Sequence, residues 1–231
     1  MATTARARVR AELTEEIKAI ARRQVAEQGA SALSLRAVTR ELGMVSSAVY
    51  RYFPSRDELL TALIVDAFEA VGAAAEAADA TKRRSDVLGR WVAMPKGVRS
   101  GAIEHPQEYA LIYGSPVPGY RAPSDTIGPA ARISLVVLRL LVDGVAQGAI
   151  VTGAPIETSR VVRSVLALLR EVAAAEVPDE VLSRGLLVWT QVLGAISYEL
   201  FGHLHNVVHD YDAFFDLQVR QAGRYLLQGA A

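Results

Sequence analysis

A chain of 231 residues with 25 basic and 25 acidic side chains carries no net charge, which excludes a protein that coats nucleic acid by bulk charge. Without cysteine it has neither a disulfide framework nor a thiolate metal site. It is rich in Ala, Leu and Val, poor in aromatics, and its nine prolines fall mostly between periodic segments, so an all-α fold of one or two domains is expected.

Charge is unevenly placed. Residues 1–60 hold ten Lys/Arg against seven Asp/Glu, leaving the remainder net negative by three. The first ten residues carry Arg6, Arg8 and Arg10 but no apolar core, so they are not a signal peptide. Two readings stand for them, a solvated tail and a basic arm reaching DNA. Leu13, Ile17, Ile20, Ala21 and Val25 then mark a helix ending near Gln28-Gly29.

The most informative stretch is Ser34–Phe53, SLRAVTRELGMVSSAVYRYF. Leu35, Val38, Thr39 and Leu42 fall on one helical face, with Ser34 placed to cap the helix. Gly43 supplies the positive φ that a sharp exit needs. Met44 and Val45 make the turn, and a second helix is expected from about Ser46 to Tyr52. Its inward residues are Val49 and Phe53. Its outward residues, Ser46, Ser47, Tyr50, Arg51 and Tyr52, are hydrogen-bond formers suited to phosphates and base edges. Two short helices joined by a turn with Gly form the helix-turn-helix pattern, and the bland alternative is a pair of surface helices. Pro54-Ser55-Arg56-Asp57-Glu58 opens the next helix with a capping box, Ser55 facing Glu58. Leu59, Leu60, Leu63, Ile64, Ala67, Phe68 and Val71 carry it on to about Ala78.

The run from Ile17 to Leu63 resembles the DNA-binding domain of the tetracycline-repressor (TetR/AcrR) family of bacterial regulators. The resemblance rests on Ala26-Glu27-Gln28-Gly29, Ser34-Leu35-Arg36, Glu41-Leu42-Gly43, Ala48-Val49-Tyr50-Arg51-Tyr52-Phe53 and Pro54-Ser55-Arg56-Asp57-Glu58-Leu59-Leu60. Two positions depart from the family pattern: Val45 stands where a capping Ser is common, and Tyr52 where His is common. The resemblance implies backbone phosphate contacts for Tyr50 and Arg56. Sequence reading is expected from Arg36, Ser46, Ser47 and Arg51, with Ala48 available to a thymine methyl. Ser34, Leu35, Val45, Tyr52 and Ser55 complete the candidate DNA-binding set.

Past the head, Ala77–Ser85 with Lys82-Arg83-Arg84 reads as a polar connection. The expected division is a DNA-binding domain over 1–56 and an effector-binding and dimerisation domain over 57–231, the helix from Arg56 linking them. A helix from Asp86 is expected to break at Pro95 and Gly97, and another to run from His105-Pro106 to Tyr113. Gly114 to Pro129 reads as a long irregular loop. The segment His105–Tyr120, with Trp189, Gly194 and Glu199, resembles the C-terminal domain of the WHG subgroup of the same family, although Leu193 stands where that subgroup has His. In this family the second domain binds a small effector and forms the dimer.

Ala130–Val151 is aliphatic on nearly every side, as in a centrally buried helix. In Glu157–Ala175, Val161, Val162, Val165, Leu168, Leu169 and Val172 form one stripe, with Arg160, Arg163 and Arg170 outside it. Pro178–Gly202 carries two rows. Leu182, Leu186, Trp189, Leu193, Ile196 and Leu200 form a seam, and Val181, Gly185, Val188, Val192 and Ala195 lie beside it. With Phe214 and Ala222 of the last helix, Asp210–Leu227, this second row is the candidate dimer face, two helices per chain making a four-helix bundle. Intramolecular core is the alternative.

Trp91, Tyr109, Tyr113, Leu138, Val142 and Trp189 are the candidate ligand-binding residues, for an apolar or weakly polar effector; plain core is the alternative for each aromatic. His203, His205 and His209 read as a helix C-terminus rather than a metal site. There is no GxSxG, HExxH, P-loop or GxGxxG, and neither cofactor nor catalysis is expected. The longest charge-free apolar run, Gly185–Tyr198, is too short to span a bilayer, so a cytoplasmic protein is expected. The expected function is a homodimeric transcriptional repressor on a palindromic double-stranded operator, released by a small-molecule effector. A helical small-molecule-binding protein or enzyme with an incidental helix-turn-helix is the alternative.

Overall fold

The computed structural model describes residues 5–154 and 156–228. Among them the chain is all-helical: α1 Ala5–Gln28, α2 Leu35–Glu41, α3 Ser46–Val49, α4 Arg56–Ala80, α5 Val87–Glu104, α6 Pro106–Tyr113, α7 Ile127–Ala146, α8 Arg160–Ala173, α9 Asp179–Leu200 and α10 Tyr211–Gln228. None of the described helices is long and apolar enough to cross a membrane.

Two compact units emerge. The first comprises residues 1–68 and 107–129, and the second 69–106 and 130–231. The division therefore falls inside α4 rather than at residue 56, and α6 with its following loop joins the head. The reason is packing: Leu111, Ile112, Val117 and Tyr120 lie against the head's core of Ile17, Ile20, Ala21, Leu35, Val38, Val49, Phe53, Leu59 and Leu60. The Tyr120 and Thr61 hydroxyls share a hydrogen bond at 2.9 Å, and Arg22 pairs with both Asp66 and Glu108.

In the second unit α5, α9 and α10 pack on one another and α8 packs on α9. Trp91 is fully buried and its indole N–H donates to the Val219 carbonyl at 2.9 Å. Arg99 reaches both carboxylate oxygens of Glu199 at 2.7 Å and Asp212 at 2.7 Å, tying α5 to α9 and α10. Arg184, also buried, donates to the Leu226 carbonyl at the end of α10 at 2.8 Å and to the Val151 carbonyl between α7 and α8 at 2.6 Å.

Three local expectations differ from the structure. Helix α5 passes through Pro95 without stopping, because the ring is buried and its packing offsets the missing hydrogen bond. Residues 5–10, read as a tail or arm, are the first turns of α1. The apolar stripe of α8 faces outward: Val161, Val165, Leu168 and Val172 are exposed, and Leu166 is the buried residue of that helix.

Candidate functional site

Local chemistry builds the head's outer face. Ser34 caps α2, its Oγ accepting from the Ala37 N–H at 3.4 Å, and the Ser34 N–H donates to the buried Gln24 at 3.3 Å. Gly43 leaves α2 with φ 63°, and α3 follows. Helix α3 is shorter than the periodicity suggests, ending at Val49 and loosening into turns over residues 50–52. Val49 and Phe53 anchor it in the core. Ser55 caps α4, accepting from the Glu58 N–H at 3.1 Å.

What remains on the surface is a compact polar set. Arg36, Ser47, Tyr50, Arg51 and Ser55 are exposed, with Val45 beside them and Ala48 and Ser34 half-buried. The side chains of Arg36 and Arg51 make no ion pair among the described residues, so both guanidinium groups are available. Arg10, reaching from α1, donates to the Arg51 carbonyl at 3.4 Å and lies 5.0 Å over the Tyr52 ring. Tyr52 is thereby half-buried. Leu35 is a core residue, so its side chain cannot meet a partner. The Ser46 side chain lies outside the described residues.

This geometry has close relatives. Residues 17–63 match the family model of bacterial regulatory proteins of the tetR family, and residues 91–222 match the tetracyclin repressor-like C-terminal domain. HTH-type transcriptional regulator Rv1816 of Mycobacterium tuberculosis is 39 % identical over 232 residues, covering 95 % of this chain and 96 % of the relative. Mb1846 of Mycobacterium bovis, also an HTH-type transcriptional regulator, matches to the same extent. The chain belongs to the TetR family of bacterial transcription regulators. The solved structure of the regulatory protein SCO4313 superposes with a TM-score of 0.77 at 36 % identity, covering 95 % of this chain and 98 % of that one. A protein from Rhodococcus sp. RHA1 shares the fold, with a TM-score of 0.72 at 23 % identity over 94 % and 96 % of the two chains.

Within this TetR-family head, the Arg56 guanidinium is held by its own chain. It donates to the Leu33 carbonyl at 3.1 Å, the Ala30 carbonyl at 2.9 Å and the Ser31 carbonyl at 3.3 Å, and pairs with Asp57 at 3.1 Å. It clamps the turn before α2 instead of standing free for phosphate. Arg56→Ala is therefore expected to lower stability by about 2 kcal/mol, the order for lost charged hydrogen bonds, while leaving the salt dependence of DNA binding unchanged. Urea denaturation and salt titration check this; unchanged stability with a salt slope reduced by about one would return Arg56 to the phosphates.

The candidate ligand residues separate. Tyr109 and Tyr113 belong to the head unit, their rings 4.9 Å apart, with Tyr113 edge-on to Phe68 at 6.2 Å. Burial, with Tyr109 nearby, pushes the Tyr113 phenol up to about 12. Trp91, Leu138, Val142 and Trp189 belong to the second unit, but Trp91 is plain core. The other three line cavities: Leu138 and Val142 a cleft of about 440 Å³ beside α7, and Leu138 and Trp189 an apolar hollow of about 50 Å³ between α7, α8 and α9.

The candidate dimer residues are mostly occupied within one chain. Val181, Gly185, Val188, Val192 and Ala222 are buried, and a Cβ on Gly185 would lie 2.6 Å from Leu141. At Gly185 the missing side chain admits Leu141 of α7. Ala195 and Phe214 are half-buried, whereas Leu187, Tyr198 and Leu217 are exposed.

The sequence reading missed the cluster Arg84, Arg90, Asp79 and Asp143. Arg90 is buried and bridges Asp79 and Asp143, both at 2.8 Å, and Arg84 meets Asp143 as well. Asp143, the one acid in α7 and set within its aliphatic run Leu140–Val145, was the available signal, since a buried carboxylate requires a cation.

Proposed function

We propose that this TetR-family protein is a homodimeric repressor that binds a palindromic operator in the cytoplasm and is released by a small molecule held in its second domain. The observation that carries the DNA reading is that Arg36 and Arg51, with no ion pair among the described residues, are exposed on the helix-turn-helix together with Ser47 and Tyr50, while Val49 and Phe53 are buried in the core. Arg and Ser side chains so presented suit base edges, with Tyr50 suited to phosphate.

Homodimerisation is supported by apolar surface that one chain leaves uncovered. Leu187 and Tyr198 on α9 and Leu217 on α10 are exposed, as is the α8 stripe. Exposed apolar side chains of this kind suit a protein–protein contact. Two copies meeting on α9 and α10 give a closed two-fold interface, and a two-fold protein reads a two-fold operator. An effector preferring one of two head separations would weaken operator binding by about 5- to 150-fold for a coupling of about 1–3 kcal/mol.

The experiment is to sequence the genomic fragments that the purified protein retains, then compare Arg51→Ala on single-base variants of the recovered site. A palindromic motif is expected, with preference at one or two base pairs per half-site falling by about 1–3 kcal/mol. Uniform weakening across all variants would make Arg51 a positioning residue. In sedimentation, Leu187→Glu with Leu217→Glu is expected to yield monomers; a wild-type monomer that still binds the full palindrome would sink the dimer.

A further inference from the structure

We infer that the cleft beside α7 is the binding site of a free anionic amphiphile, a molecule with one negatively charged head and an aliphatic tail. The cleft lies within the second unit and is lined by the end of α4, by α5, by Leu135, Leu138, Arg139 and Val142 of α7, and by Val172 of α8. Its volume of about 440 Å³ falls in the range of about 300–1,000 Å³ typical of small-molecule sites. The proposal deepens the effector reading above and rests on it only for the consequence of binding.

Charge decides the head. Four cations, Lys82, Arg84, Arg90 and Arg139, line the cleft against two acids, Asp79 and Asp143. Both acids are already paired with arginines of the cluster. Asp79 accepts from Arg90 through its two oxygens at 2.8 and 3.1 Å. Asp143 accepts from Arg90 at 2.8 Å through one oxygen and from the Arg84 Nε–H at 3.0 Å through the other. A cationic ligand therefore meets carboxylates whose charge Arg84 and Arg90 already offset, in a cleft with two more cations than acids. Lys82 and Arg139 are exposed and make no contact ion pair among the described residues; Arg139 acts on the Glu76 carboxylate only through space, so both cations line the cleft with their hydrogen-bond donors free for an anion. An anion placed between them gains charge-assisted hydrogen bonds that water does not match.

Apolar walls decide the tail. Leu135, Leu138, Val142 and Val172 form the cleft's other side. Leu138 is the shared wall with the adjoining hollow, which is bounded by Leu169, Leu182 and Trp189 and holds about 50 Å³. That hollow is almost wholly apolar, so a methylene chain enters it without stranding a polar group. A head at Lys82 and Arg139 and a tail turned past Leu138 toward Trp189 fill both spaces with one molecule.

The test uses the full-length protein and dodecanoate, below its micelle-forming concentration, in a calorimeter. Saturable 1:1 binding is expected. Dodecanol and dodecyltrimethylammonium should each bind at least tenfold more weakly, as should dodecanoate to Lys82→Glu/Arg139→Glu, whose folding is checked by its melting curve. Equal binding of the ammonium compound, or an undiminished double variant, overturns the anionic head. Bromine quenches indole fluorescence on contact, so 12-bromododecanoate should quench Trp189 and 2-bromododecanoate far less. Equal quenching by the two overturns the path of the tail. No binding of dodecanoate at all overturns the proposal while leaving sequence-specific DNA capture untouched, and loss of DNA capture with dodecanoate binding intact would strike the regulator reading alone.

Discussion

Trp91→Ala is expected to lower the unfolding free energy by about 3–5 kcal/mol, the usual order for truncating a buried tryptophan. The side chain is fully buried in α5 where α9 and α10 converge, and it donates to the Val219 carbonyl at 2.9 Å. Removing it leaves a cavity that three packed helices cannot fully close. Gly223 on α10 faces the same ring: a Cβ there would lie 2.6 Å from Trp91 Cδ1 and 2.8 Å from Leu88 Cδ1. Gly223→Ala is thus expected to cost about 1–3 kcal/mol in the natural protein through overpacking. In the Trp91→Ala background the same change should cost less, because the ring is gone and only the movable end of the Leu88 side chain remains in the way. Chemical denaturation of the four proteins measures both. A loss below about 1 kcal/mol for Trp91→Ala would mean that the indole is not the core of this unit.

Arg90→Met is expected to cost about 3–5 kcal/mol, the usual order for breaking a buried ion pair by removing one partner. Arg90 and Asp143 are 6 % and 8 % exposed, and Asp79 shares the same guanidinium. Burial works against the Asp143 charge, but hydrogen bonds from Arg84 and Arg90 outweigh it and hold this carboxyl below the ordinary range. The sign follows. A carboxyl with a lowered folded pKa contributes stability that is present above its unfolded value of about 3.9 and is lost as pH falls through the folded value. In Arg90→Met, burial acts with only Arg84 to oppose it, so the acid loss should begin at a higher pH. Denaturation midpoints between pH 3 and 7 test this. Parallel pH profiles for the two proteins would show that Arg84 alone sustains the charge.

The head was legible because its signals are local. Ser34 before Leu35, Gly43 after Leu42 and Ser55 before Glu58 act within three or four residues of themselves, and their caps and turn are formed as expected. Val49 and Phe53 declared the buried side of α3 by spacing alone, and both are buried. The same residues carried the family resemblance, and the tetR family model covers the same residues, 17–63. Helix type and order were likewise set by neighbours in the chain, since the 3.6-residue period is a property of each segment.

Direction was another matter. Helix α9 has two apolar rows, and nothing within it says which one meets its own chain; Leu141 of α7, seated against Gly185, turns the small-residue row inward. Helix α8 has a clean stripe, yet the packing of α9 leaves it exposed. Arg56 lies at a DNA-facing position in the linear pattern, but carbonyls from residues 30, 31 and 33 fold back to claim it. Lys82 and Arg139 are 57 positions apart, and their meeting at one cleft is invisible until α4 and α7 are brought together. Periodicity reports that a face is apolar, and capping reports where a helix begins. Which surface that face covers, and which distant charge a side chain meets, depends on long-range packing that no window of adjacent residues contains.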